Sequence, residues 1–341
     1  MLKKLDRRSL LKAGLATGAV GSVGAGIHRM TRPGDILVGA SHAATPPPFP
    51  TGNKRPVQAA FQTYRDAMQS GGPGKDGIPS IDDPVFIEAD AADSLDDGEI
   101  VFGIEPERDR PKAYPQKILV QHEIANDRVD GTGLAVTYCP LTGTAIGFAR
   151  QDTTFGVSGR LLNSNLVMYD RASDTWFPQV LSVGIKGTHT GAFLREYPVV
   201  WTTWGRWRRK HPDTRVLSTD TGYFRNYQRD PYGSYNPVAG YYEPDSRLMF
   251  PVLNRDDRFP AKHMVLGART SGGAAAFSLD RLSKDGRIEA EVGGERLVAR
   301  YEADLDTGYV HRKGASGERI NAFQAMWFAW YAFYPETAVY A

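Results

Sequence analysis

The sequence predicts a β-rich α+β fold, in which two related units of β-hairpin and short helix pack into one compact domain. Three observations predict it. Short apolar runs rich in β-branched residues alternate with turn residues along most of the chain. The 36 glycines and 22 prolines punctuate these runs too often for long helices. Residues 113–144 align with 276–307 at a constant offset of 163, with seven identities in 32 positions where chance gives about 2. The aligned pairs include Leu119 with Leu282, Gly131 with Gly294 and Tyr138 with Tyr301. The paired units span about 100–148 and 264–311.

Residues 1–44 read as an export signal. A charged segment ends in Arg7-Arg8, and a mild apolar run follows from Ala13 to Ile27, too short and glycine-rich for a membrane span. Ser41-His42-Ala43 supplies small residues at the cleavage spacing. Arg7-Arg8-Ser9-Leu10-Leu11-Lys12 resembles the twin-arginine motif, departing from it at Asp6 and Leu10. The expected location is extracytoplasmic, in a periplasm or at a cell surface, with membrane contact only through this leader.

Residues 45–74 read as a linker with a short helix at 61–70, and residues 75–341 as the folded domain. Strands are expected in IVFGI (100–104), GLAVTYC (133–139), LVMYD (166–170), RLMFPVL (247–253), MVLGA (264–268) and RLVARYEA (296–303). Further helices are expected at 115–121, where Pro115 suits a first turn, at 204–211 and at 322–333.

Charge and cysteine count exclude several classes. The chain carries +2, but residues 1–44 hold seven basic and two acidic residues, leaving 34 basic against 37 acidic. The near-neutral remainder gives no electrostatic case for a nucleic-acid partner. Cys139 is the only cysteine, so no intramolecular disulfide forms, and no cysteine near the leader offers a lipid anchor.

The most suggestive chemistry lies in Gln121–Asp127 followed by Thr137–Leu141. In a strand ending at Cys139, Leu134, Val136 and Tyr138 share one face, and Ala135, Thr137 and Cys139 the other. Pro140 ends the strand. His122 precedes the hairpin that feeds it, so imidazole and thiol are expected as neighbours. That pair suits a copper or zinc ion held by thiolate and neutral imidazole. It also suits a cysteine nucleophile assisted by histidine, in a hydrolase or transferase. The plain alternative is a buried cysteine and a hydrogen-bonded structural histidine. His263, His189, Asp170 and Met168 are available as further metal ligands. Against the offset of 163, His122 meets Asp285 and Cys139 meets Glu302, which puts the chemistry in the first unit.

Other motifs weigh less. Gly156-Val-Ser158-Gly159 lacks the glycine two positions after serine that a nucleophile elbow needs, because Arg160 stands there. Asn163-Ser164-Asn165, followed by Tyr169 and Asp170, can bind a polar ligand or satisfy a turn. Trp201, Trp204 and Trp207, three residues apart, suit core packing or an aromatic groove. A third functional reading is therefore a non-catalytic surface protein, with the 163–165 and 201–207 segments lining a ligand groove.

Several long blocks resemble the DUF3179 family of uncharacterised proteins. They are DGIPSIDDPVF (76–86), KAYPQKILVQHEIAND (112–127), AVTYCPLTGTAIGF (135–148), FGVSGRLLNSNLVMYDR (155–171), TTWGRWRRKHPDTRVL (202–217) and KHMVLGAR (262–269). The resemblance covers nearly all of residues 75–340. It implies an exported domain without an assigned reaction, and it makes His122, Cys139, Asn163, Asn165, Tyr169 and Asp170 the leading site candidates. Many members read Cys-Pro-Leu-Cys; here Thr142 follows Leu141, so no dithiol is available.

Overall fold

Antiparallel pairing of the expected apolar runs builds most of the structure, a computed structural model that describes residues 57–314 and 318–341. These residues belong to one compact unit. The export signal expected over 1–44, and the linker as far as residue 56, lie outside the described residues. The fold is β-rich α+β. Among the described residues no helix is long and apolar enough to cross a membrane.

The five α-helices among the described residues are short: α1 (Val57–Ala67), α2 (Gln116–His122), α3 (Trp204–Lys210), α4 (Leu279–Asp285) and α5 (Trp327–Phe333). Helix α2 follows Pro115, whose missing N–H costs nothing at a helix start. It stops at Glu123, which takes a left-handed conformation with φ 60°. Helix α4 is capped by the Ser278 hydroxyl, which accepts from the Arg281 N–H at 3.4 Å, and stops at Gly286 with φ 70°. Glycine adopts that conformation freely, whereas a residue with a Cβ is strained by about 1–2 kcal/mol.

A five-stranded sheet runs Val200–Thr203, Ile100–Ile104, Lys112–Pro115, Arg215–Leu217, Phe86–Glu88. Its last two inner neighbours are parallel and the other pairs antiparallel. A four-stranded sheet runs Ala322–Met326, Met264–Thr270, Gly273–Ser278, Ala338–Tyr340, with the same sequence of antiparallel, antiparallel and parallel pairs. In the first, a Cβ on Gly103 would lie 2.1 Å from the Trp207 ring, and Trp207 Nε1 donates to Thr214 Oγ1 at 2.9 Å. In the second, a Cβ on Gly267 would lie 2.1 Å from the Trp330 ring, and Trp330 Nε1 donates to Thr337 Oγ1 at 2.9 Å. Each helix thus lays an indole flat on bare backbone and anchors its only polar atom.

The strand Thr132–Cys139 sits between Ile124–Val129 and Thr144–Arg150. Its alternation divides the interior as the sequence predicts. Leu134, Val136 and Tyr138 join the cluster containing Phe102, Tyr114 and Leu119. Ala135 and Cys139 join the largest cluster, with Phe155, Met168, Phe177 and Trp330.

Three expectations need correction. The helix expected at 322–333 is strand as far as Met326 and helix only from Trp327, because the backbone of 322–326 pairs with Met264–Ala268. RLMFPVL is not a strand but part of a turn-rich cover, and Pro251 supplies no ladder donor. The helix expected at 61–70 runs over Val57–Ala67.

Candidate functional site

Cys139 ends its strand with no exposed surface. Its Sγ accepts the Leu166 N–H at 3.3 Å and faces the Ser164 carbonyl at 3.7 Å. Burial, reinforced by the Glu123 carboxylate, pushes the thiol up to about 12, against hydrogen bonds from Thr142 and Leu166. A thiol so placed is not poised for attack near neutral pH, because the thiolate is the nucleophile.

His122 is equally buried but occupied elsewhere. Nδ1 lies 2.8 Å from the Pro79 carbonyl and Nε2 2.6 Å from the Tyr227 hydroxyl. A carbonyl only accepts, so Nδ1 carries the proton, and Nε2 of the neutral ring accepts from Tyr227. The Tyr227 oxygen in turn accepts from Thr221 Oγ1 at 2.6 Å. Burial lowers the imidazole pKa, which keeps it neutral. Both ring nitrogens are consumed.

The expected His122–Cys139 pair is therefore not assembled. Cys139 lies in the largest core cluster, whereas Tyr227, which holds His122, lies in the cluster on the opposite face of the strand. Their hydrogen-bond partners do not overlap. Nor do the further ligands converge. Met168 is core, and among the described residues no group of three or more His, Cys, Asp and Glu is arranged to hold a metal ion. The residues present do not fit a copper or zinc centre at His122 and Cys139, because imidazole and thiol each already have other partners.

The cluster expected to bind a polar ligand separates into two ends of one hairpin. Asn163 and Ser164, with φ 52° and 62°, are the two central residues of its turn. The Asn163 amide donates to Ala332 O at 3.2 Å and accepts from the Leu253 N–H at 2.8 Å. Asn165 donates to Thr142 Oγ1 at 3.0 Å and Gln179 Oε1 at 2.9 Å, and accepts from the Val180 N–H at 3.0 Å. At the far end, the Tyr169 hydroxyl donates to Asp76, and Asp170 accepts from Thr153 and, at 2.5 Å, from Ser173. Each of these groups has partners within the protein, so these side chains fasten turns.

Two features lay beyond the sequence reading. The first is Glu123, 6% exposed, whose carboxyl has no hydrogen-bond partner among the described residues. Burial alone raises its pKa to about 8. Its backbone carbonyl accepts the Tyr138 N–H at 2.7 Å, which fixes it beside the end of the Cys139 strand. The only sequence signal was its alignment with Gly286 at the offset of 163.

The second is a cavity of about 530 Å³ between the strands Val200–Thr203 and Ala322–Met326 and the cover formed by residues 232–264. Its aromatic wall contains Trp201, Tyr235 and Tyr242. Tyr235 stacks on Tyr242 with centroids 3.9 Å apart and meets Trp201 edge-on at 5.2 Å. Behind them Tyr242 donates to Asp230 at 2.7 Å, and Tyr138 lies 3.2 Å from the Tyr235 hydroxyl, so the wall is held from the rear. The polar residues Lys262, His263, Asp280 and Gln324 line the same space, although the Lys262 ammonium itself donates to Tyr241, Ser246 and Arg247. His263 stacks on Phe259 at 4.6 Å, and burial lowers its pKa, opposed by Asp280. A neutral imidazole there can both donate and accept. Of the expected tryptophan row, only Trp201 lines this space; Trp204 and Trp207 are core. Aromatic faces with a few convergent polar groups, in a cavity of this size, are the usual composition of a small-molecule site.

A family profile described as "Protein of unknown function (DUF3179)" matches residues 75–337. No curated protein and no solved structure matches the chain.

Proposed function

The chain belongs to the DUF3179 family, and on the geometry of its cavity we propose that it is an exported binding protein for a small organic molecule with one planar, unsaturated end. The observation that carries this is that Trp201, Tyr235 and Tyr242 line the same space of about 530 Å³ as His263, Asp280 and Gln324. The planar end lies against the rings, and the polar edge meets the polar side chains. A thermal-shift screen with planar aromatic fragments tests it. Hits should raise the melting temperature of the native chain and lose at least tenfold in affinity in Trp201→Ala, as loss of a stacking partner and its buried area implies. Affinities unchanged by Trp201→Ala would count against the reading.

Export is supported by Arg7-Arg8 and the apolar run behind them. Residues 1–44 fused ahead of a folded reporter should send it out of the cytoplasm, and Arg7→Lys with Arg8→Lys should retain it. A reporter that stays inside with the native segment ends this part of the proposal.

We also read the two sheets and their helices as two uses of one module. The common strand order, the shared pairing senses and the matching Gly–Trp–Thr contacts support this. On that reading the cavity lies where the modules meet, with Trp201–Thr203 of one strand facing Gln324 and Met326 of its counterpart.

A further inference from the structure

The charges left to the cavity are of one sign. Lys262 borders the space, but its ammonium donates to the Tyr241 carbonyl, the Ser246 hydroxyl and, at 3.4 Å, the Arg247 carbonyl, on residues outside the lining. An ammonium has three donors, and these three oxygens occupy them. The His263 ring stacks on Phe259, its Nε2 lies 3.4 Å from the Ser278 hydroxyl, and burial keeps it neutral. Two carboxylates remain in the lining, Asp280 and Asp306. Asp280 lies in the first turn of α4, and its side chain makes no ion pair or hydrogen bond among the described residues. Its charge acts on the His263 imidazole, which fixes it at the same end of the space. Asp306 accepts from the hydroxyl of Tyr301, itself a lining residue. Arg206 approaches Asp306 at 3.8 Å, the outer limit of an ion pair, and both side chains are solvated. The rings of Trp201, Tyr235 and Tyr242 add the negative faces of their π systems.

We propose that the cavity takes an organic cation, a protonated or quaternary amine whose charge lies toward Asp280 and Asp306 and whose planar end lies against Trp201 and Tyr235. This rests on the reading of the cavity as a ligand site and names the class of ligand. A carboxylate attracts an ammonium directly, and an aromatic face attracts the same charge through its quadrupole. A concave surface lined by one sign of charge also raises the local concentration of its counter-ion. An anion would meet repulsion from both carboxylates and find no cation to receive it, because the donors of Lys262 are occupied behind the wall. A neutral molecule of the same shape would gain the ring contacts alone.

A structural role alone would make Asp280 a carboxylate that favours the N-terminal end of α4 and is indifferent to ligand charge. Matched probes separate the two roles. Tryptamine, indole-3-acetamide and indole-3-acetate carry the same ring with a positive, a neutral and a negative tail. Their affinities for the full chain are measured by calorimetry at pH 7. Tryptamine should bind about tenfold more tightly than the amide, and the acetate most weakly. The advantage of tryptamine should shrink as salt is raised. Asp280→Asn combined with Asp306→Asn should lower tryptamine affinity about tenfold and leave the amide within about twofold. Both positions are exposed, and asparagine tolerates the φ of 52° at Asp306, so the variant keeps the fold. An acetate that binds as tightly as tryptamine, no binding by tryptamine, or a tryptamine advantage that survives both substitutions overturns the proposal. A neutral fragment that still binds in a Trp201-dependent way would then leave the cavity reading intact. Absence of all binding would remove the two together.

Discussion

Alanine at Gly103 and alanine at Gly267 should each destabilise the protein by about 3 kcal/mol, the upper range for forcing an extra methyl into a packed core. Each new Cβ would stand 2.1 Å from an indole ring carbon. Neither indole can retreat. Trp207 and Trp330 are both fully buried and tethered through Nε1 to Thr214 and Thr337. If the halves are two uses of one module, the two costs should agree within about 1 kcal/mol, because the collision and the tether are the same. Chemical denaturation of the two variants checks this. A severe loss at one glycine with none at the other would show that the contacts are not equivalent.

Glu123→Gln should abolish a decline in stability that the native chain shows between about pH 4.5 and pH 8. The folded pKa is raised by burial to about 8 from an ordinary 4.5. Between those values the unfolded chain is ionised and the folded carboxyl keeps its proton. Stability from this group is therefore fully present below pH 4.5 and lost as pH rises through 8. The full window is on the order of 5 kcal/mol, at about 1.4 kcal/mol per pH unit. Glutamine has the same shape and does not titrate, so its variant should be nearly flat across the window and more stable at pH 8. Glu123→Gly should go further at pH 8, because glycine also relieves the φ of 60° that Gly286 bears without strain. Thermal melts of the three proteins at pH 5 and pH 8 check both parts. A native chain whose pH dependence matches that of Glu123→Gln would refute the assignment of this carboxyl.

How much of this was legible in the sequence follows from which interactions are local. The alternation Leu134–Cys139 fixes which side chains face which core, since a strand reverses direction at every residue. Pro140 places Cys139 at the strand end for an equally local reason. The direction of the His122 ring is not local. It is set by Pro79 and Tyr227, 43 and 105 residues away, and nothing between His122 and Cys139 encodes them. The Asn163–Asn165 amides were legible as turn formers and also as ligand groups; their partners at Ala332, Leu253 and Gln179 decide for the turn. Residues 322–333 form one apolar run broken only by Gln324, and short apolar runs do not distinguish helix from strand. The cavity was hidden for the same reason as the histidine's partners. Trp201, Tyr235, Lys262 and Asp280 come from four separate segments, and only tertiary packing brings them together.

The most direct measurement is a crystal structure of the native chain soaked with a set of planar aromatic fragments. The account predicts electron density for bound rings against Trp201 and Tyr235, with their polar edges toward His263, Asp280 or Gln324. Fragments that bind only at other surfaces, with the space beside Trp201 filled by side chains or by ordered water that no fragment displaces, would contradict it.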